Sequence, residues 1–453
     1  KKLQLTYGNS VTNFCTKDEY GKLSPAGIAG WGPKDLYLLL YDEYDIWKIS
    51  LDGQDPQRLT SGKEKKIRYR LIPPAMAAYN SNFTGHIDPL FDLKNDLLIS
   101  GTSEDNTGYF ILLSNGRLKT IVFDHNRNRD ILQSKIGGAL VYIAENYNKP
   151  PQLLFYNSKK SIISEVVKSN RHHSDYAWGK QQVIHYRNPS GQMLKGLLYY
   201  PSVLLAGEQY PMVVHIYEKQ YYEKCYYRYP SNRNMTGFNI ANLTSKGYFV
   251  LLPDIEYEVG NPGRSATNCV MAAIDEAVIN APIDTTKIGV IGHSFGGYET
   301  NYIITQSRRF ACAISGSSVG DVQGWYLSIG WNSGRPEFWR AETQQWRMGN
   351  SLFDNLESYR INSPLNKVKD INTPLLLWTG EQDRQVHYYQ SIAFYLALRR
   401  LDKKEIMLIY PDEGHALLKP GNQADLTSRM ESWLNFFLKD EPASWIENGL
   451  NTH

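Results

Sequence analysis

The sequence predicts two architectures in succession: an all-β part over 1–175 and a mostly parallel, doubly wound α/β sheet over 176–453. Three observations predict this. Short apolar runs recur in the first part in the order strand, strand, turn, strand. From Tyr176 onward, apolar strands alternate with helical stretches, the pattern of a parallel sheet. Finally, Gly292-His293-Ser294-Phe295-Gly296 directly follows the apolar run Lys287–Ile291. Glycines at this spacing force a sharp turn from strand to helix that lifts the serine hydroxyl off the sheet edge.

In the first part, one unit comprises Asp35–Leu40, Asp45–Ile49, a turn at Asp52-Gly53 and Gln57–Thr60. The next comprises Asp96–Ser100, Gly108–Leu113, a turn at Asn115-Gly116 and Leu118–Val122. The last comprises Ala139–Ile143, Gln152–Tyr156, a turn near Asn157-Ser158 and Ile162–Val166. Antiparallel strands joined by Asp-Gly or Asn-Gly turns are the pattern of propeller blades. About three blades are too few to close a propeller, which takes about four or more. The expectation is therefore a partial β-propeller over 1–175, with further blades upstream of Lys1 or supplied by another chain. An unrelated all-β domain is the competing reading.

The second part opens with strands Gln182–Tyr186 and Leu194–Tyr200 around a turn at Pro189–Gly191. Strands follow at Pro211–Ile216 and Tyr248–Leu252, then a helix at Asn268–Asn280. Ile288–Ile291, Cys312–Ile314 and Pro374–Trp378 are strands, Ser391–Arg400 a helix, Glu405–Tyr410 a strand and Leu426–Leu438 a closing helix.

Functional residues of such sheets lie just past the C-terminal ends of strands. Ser294, Asp383 and His415 obey this, following the strands that end at Ile291, Trp378 and Tyr410. The order Ser, Asp, His is that of the α/β hydrolases. A serine hydroxyl needs a base to take its proton, histidine does so near neutral pH, and a carboxylate fixes the imidazole tautomer. Glu381 and Asp412 are nearby reserve carboxylates. The backbone N–H of Phe295 is the first oxyanion donor by geometry. The second should come from the turn that follows Pro211–Ile216, where Tyr217 offers a phenol.

Three motifs resemble the prolyl oligopeptidase family of serine peptidases. They are Gly292-x-Ser294-x-Gly296-Gly297-Tyr298, Gly380-x-x-Asp383-x-x-Val386-x-x-x-Gln390-Ser391 and Glu413-Gly414-His415. The dipeptidyl-peptidase-IV-like and acylaminoacyl-peptidase-like branches are nearest. The resemblance implies an α/β hydrolase fold for 176–453 and an oxyanion-hole role for Tyr217. It also implies an apolar substrate pocket after Ile314, with Val319, Trp325, Tyr326 and Trp331 as candidates. Glu218-Lys219-Gln220 departs from the Gly or Ala that many relatives carry after that tyrosine. Glu299 and Arg384 lie beside the catalytic residues without an assignable role.

Composition sets the outer bounds. With 453 residues, 42% hydrophobic and 21% charged, the chain is globular and long enough for two or more domains. A net charge of +3 gives no argument for nucleic acid, and no run approaches a membrane span. Cys15, Cys225, Cys269 and Cys312 form no C-x-x-C pair, so neither a metal nor a redox cofactor is expected. Three Asn-x-Thr sequons begin at Asn82, Asn234 and Asn242. The expected partner is a peptide substrate. A homodimer is left open, as is the compartment, with a lean toward an exported or periplasmic location. The leading expectation is a serine peptidase cleaving short peptides after proline or a small apolar residue. An esterase on the same fold is the alternative. An inactive hydrolase serving as a propeller-based binding protein is the alternative of another class.

Overall fold

The computed structural model describes residues 13–17, 20–52, 56–73, 89–134 and 138–451. Gly53 of the expected Asp52-Gly53 turn and the sequon at Asn82 lie outside the described residues. The chain forms two compact units. One is Lys1–Ser174 with Cys225–Tyr227, and the other is Asp175–Lys224 with Arg228–His453.

The first unit contains three four-stranded antiparallel sheets. They run Ile28–Trp31 to Gln57–Arg58, Arg68–Leu71 to Leu118–Asp124, and Arg127–Gln133 to Ile162–Lys168. Each sheet has one strand more than the sequence reading gave it. The extra strand is always the first and lies at an edge: Ile28–Trp31, Arg68–Leu71 and Arg127–Gln133. An edge strand needs little apolar alternation, and Arg127-Asn128-Arg129-Asp130 has almost none, which is why the pattern hides it. The Asp45-Ile46-Trp47 string is tied down by Asp45, which is fully buried. Its carboxylate accepts from Thr60 Oγ1 at 2.6 Å and from the Lys63 N–H at 3.1 Å, and Arg58 pairs with it at 2.8 Å.

The second unit is built on an eight-stranded sheet. Its strands are β1 Gln181–Arg187, β2 Met193–Tyr199, β3 Tyr210–Ile216, β4 Phe249–Pro253, β5 Ile283–His293, β6 Cys312–Gly316, β7 Leu375–Gly380 and β8 Glu405–Tyr410. They lie in the order β1-β2-β4-β3-β5-β6-β7-β8. β1 and β2 pair antiparallel, as do β2 and β4, and the remaining pairs are parallel. The four main helices are α1 Pro262–Asn280, α2 Phe295–Gln306, α3 Tyr389–Arg400 and α4 Pro420–Lys439. α1 starts six residues before the expected Asn268, because Pro262 is preorganised for a first helical turn that apolar periodicity does not mark.

The central strands are buried on both faces, so they read as continuous apolar runs rather than alternating ones. Every residue of β7 is buried. Val214, Ile288, Val290, Leu375 and Leu377 share one core with Ala273 and Ile274 of α1 and Ile303 of α2. No helix among the described residues is long and apolar enough to cross a membrane. No disulfide joins the four cysteines, and Cys225, Cys269 and Cys312 are buried. Leu377→Ala removes a fully buried side chain from this core. It should cost about 2–5 kcal/mol, read as a lower urea midpoint at unchanged slope.

Candidate active site

Ser294 sits between the end of β5 and the start of α2, at φ 59° and ψ −119°. A positive φ is strained for any residue with a Cβ, so the surroundings must impose it. Ser294 donates its N–H to Gly316 O on the adjacent strand β6 at 2.8 Å, and its own carbonyl accepts from the Tyr298 N–H at 3.0 Å. The flanking glycines are required by close approach. A Cβ on Gly292 would stand 1.9 Å from Gly296 O, and one on Gly296 would stand 2.1 Å from Ile216 O.

Asp383 follows β7 and His415 follows β8, as expected from the sequence, and the structure brings both to Ser294. Asp383 Oδ2 lies 2.7 Å from His415 Nδ1, and His415 Nε2 lies 2.8 Å from Ser294 Oγ. A carboxylate only accepts, so Nδ1 carries the proton and Nε2 is left to accept from the serine hydroxyl. Asp383 is buried, and its other oxygen accepts from the Gln385 and Val386 N–H groups at 2.8 and 3.0 Å. The loop bearing His415 is held by Glu413, which accepts from the Leu418 and Lys419 N–H groups at 2.7 and 3.0 Å. Glu381 and Asp412 are exposed and make no contact in this chain of hydrogen bonds.

Phe295 opens α2, so its N–H has no acceptor within the helix. Tyr217 directly follows β3, and its ring lies beside the position a Gly296 Cβ would take. Val319, Trp325 and Tyr326 are buried in one aromatic cluster with Phe295, Tyr298 and Trp346. Trp331 is separate from them, 63% exposed. It sits in the turn between two short strands, beside Asn332, whose N–H bonds Arg384 O at 3.1 Å. Arg384 is itself exposed and contributes that carbonyl.

Three further groups, His293, Gln345 and Arg347, support the site and escape local sequence reading. His293 donates from Nε2 to His415 O at 2.7 Å and stacks on Trp378. Burial, then the neighbouring His415, pushes its pKa down to about 4, so it stays neutral and a donor at this atom. Gln345 Nε2 lies 3.1 Å from Tyr217 Oη and 3.0 Å from Glu218 Oε2. Arg347 pairs with Glu218 at 2.9 Å. These partners lie more than 120 positions apart in the chain, and only the unusual Glu218-Lys219-Gln220 string hinted at them.

Glu299, left unassigned by the sequence, is fully buried in α2. Tyr257 donates its hydroxyl to Glu299 Oε1. Burial pushes the carboxyl up to about 8; Tyr257 and Arg347 pull it down, and Glu218 pushes it further up. Among the described residues, no group of His, Cys, Asp or Glu is arranged to hold a metal ion.

The profile of the prolyl oligopeptidase family matches residues 259–441, the segment that carries Ser294, Asp383 and His415. A peptidase of Bacillus subtilis named YuxL is 26% identical over 259 residues, 56% of this chain and 38% of that protein. Dipeptidyl-peptidase 5 of Porphyromonas gingivalis is 27% identical over 218 residues, 45% of this chain and 31% of that protein. The matches thus span 31–38% of these relatives' lengths. Among solved structures, dipeptidyl peptidase 4 of Porphyromonas gingivalis superposes with a TM-score of 0.65 at 18% identity, covering 90% of this chain and 55% of that one. Acylaminoacyl peptidase of Pyrococcus horikoshii gives 0.63 at 17% identity, covering 95% and 67%. The eight-stranded unit has the α/β hydrolase fold.

Two outcomes test this site. Gly296→Ala should abolish folding of the turn and with it reaction of Ser294 with a serine-directed probe, because the added methyl meets backbone rather than a movable side chain. Glu299 supplies a pH test. Its pKa is raised on folding, so its contribution is full below the unfolded value near 4.5 and is lost as pH climbs through about 8. His293 and His215, both pushed down to about 4, act oppositely and lose stability as pH falls from 6.5 through 4. Glu299→Gln should therefore melt higher than the wild type at pH 9, and its advantage should vanish by pH 5.

Proposed function

We propose that this protein is a serine peptidase that hydrolyses short peptides through an acyl-enzyme on Ser294. The observation that carries the reading is the unbroken chain from Asp383 through His415 to Ser294, all at C-terminal strand ends. The family match over 259–441 supports it. His415 Nε2 takes the Ser294 proton as Oγ attacks the scissile carbonyl. The tetrahedral oxyanion is met by the Phe295 N–H and the Tyr217 hydroxyl. His415 then protonates the leaving amine, and a water activated by the same nitrogen releases the acid. Asp383 holds the imidazole and stabilises its cation.

For the substrate, the reading is a proline or small apolar residue on the acyl side. The buried cluster of Val319, Trp325 and Tyr326 against Phe295 offers an apolar wall next to the nucleophile. Trp331 stands outside that cluster and is assigned no part in the pocket. The three four-stranded sheets of the first unit are taken as blades of a partial β-propeller within 1–175, preceding a catalytic domain over 176–453. In the resembling family such a domain selects short peptides.

A fluorophosphonate probe should label the wild type at Ser294, and Ser294→Ala should lose all labelling. Asp383→Asn should lower kcat about 10⁴-fold by favouring the wrong tautomer. Tyr217→Phe should lower it roughly 10²- to 10³-fold. Profiling with peptides varied at the acyl-side residue should favour proline or small apolar residues. A flat profile, with simple esters turned over far faster than any peptide, would retire the peptidase reading in favour of an esterase.

A further inference from the structure

Gln345 stands where the side chain of Tyr217 is decided. Its Nε2 lies 3.0 Å from Glu218 Oε2 and 3.1 Å from Tyr217 Oη. A carboxylate oxygen accepts only, so the amide must turn nitrogen, not oxygen, toward Glu218. The same nitrogen then donates its second hydrogen to Tyr217. The phenol is an acceptor at that contact, and its own hydrogen has to point elsewhere. Accepting a hydrogen bond also makes a hydroxyl a stronger donor.

Each member of this arrangement is held in place. Glu218 has a left-handed backbone, φ 39°, and its carbonyl accepts from the Ile255 N–H at 2.8 Å. Its other carboxylate oxygen takes Arg347 Nη2 at 2.9 Å. Arg347 lies over the Tyr257 ring at 4.3 Å, and Tyr257 bonds Glu299 in the helix that starts at the nucleophile. Between Gln345 and Arg347, Trp346 packs against Phe295, Tyr298 and Trp325 with ring centroids 5.1, 4.3 and 4.6 Å apart. The segment that carries the amide is therefore anchored in the aromatic cluster around Phe295, the residue after Ser294.

We propose that Gln345, with its amide orientation set by the Glu218–Arg347 pair, is the positioning residue that aims the Tyr217 hydroxyl at the developing oxyanion. The inference rests on the acyl-transfer reading above and deepens it. Gln345 touches no reacting atom and acts through Tyr217. Its removal should slow the chemical step and leave binding of a reactant unchanged.

The test follows Ser294 modification by a fluorophosphonate, whose phosphoryl oxygen occupies the oxyanion position, over a range of probe concentrations. Gln345→Met should lower the maximal rate roughly tenfold or more, with the half-saturating concentration unchanged within about twofold. Gln345→Glu keeps the shape, removes the donor and should do the same, so the result does not hang on one variant folding. Tyr217→Phe combined with Gln345→Met should be no slower than Tyr217→Phe alone, since both remove one function. Wild-type rates in either folded Gln345 variant, or losses that multiply with Tyr217→Phe, would overturn the proposal while leaving the serine reading intact. A wild type that the probe does not label would instead remove the serine reading, and this inference with it.

Discussion

The contact between Gly296 and Ile216 is where the organisation of the site begins. A side chain at position 296 has no room, because the carbonyl of Ile216 occupies it. That approach lets α2 start directly against the end of β3 and holds Ser294 in its strained turn between β5 and the helix. It has a second effect. The residue after Ile216 is Tyr217, so the packing that shapes the nucleophile turn also sets its distance from the phenol. Strain at Ser294 and placement of Tyr217 are two results of one helix-to-strand contact.

Around this centre the protein uses buried ionisable groups as neutral hydrogen-bonding parts. His293 ties the turn to the backbone of the loop that carries His415. His215 stacks on Phe238 at 4.0 Å and bonds Gln220 at 2.8 Å. Glu299 lies at the other end of the helix's first turn, bonded to Tyr257. Burial disfavours the charged form of each, in opposite directions for histidine and for carboxyl. Their pH demands therefore conflict, and the mildly acidic to neutral range is where the fewest of them are forced to ionise.

How much of this was legible in the sequence depends on the range over which each signal acts. The strands of the second unit stood out because burial on both faces writes a continuous apolar run. Ser294, Asp383 and His415 stood out because each follows such a run directly. The first strand of each antiparallel sheet did not, since pairing on one side imposes little pattern on Arg127–Gln133. The start of α1 was missed because Pro262 marks a helix by backbone preorganisation rather than by periodicity. Gln345 and Arg347 were invisible for another reason. Their partners Tyr217 and Glu218 are near only after the sheet has formed, and no local spacing encodes that proximity.

The short stretch Gln345-Trp346-Arg347 faces two ways at once. Trp346 fills the aromatic cluster of Phe295, Val319 and Trp325, while its neighbours reach Tyr217 and Glu218. Under the proposed function, recognition of a substrate side chain and stabilisation of its transition state share one piece of backbone. A change that reshapes the cluster through Trp346 acts on the same backbone that carries the Gln345 amide. On that reading, selectivity and turnover are not tuned as separate properties. A new acyl preference gained at this cluster carries a change in rate with it, even for substrates that fit equally well.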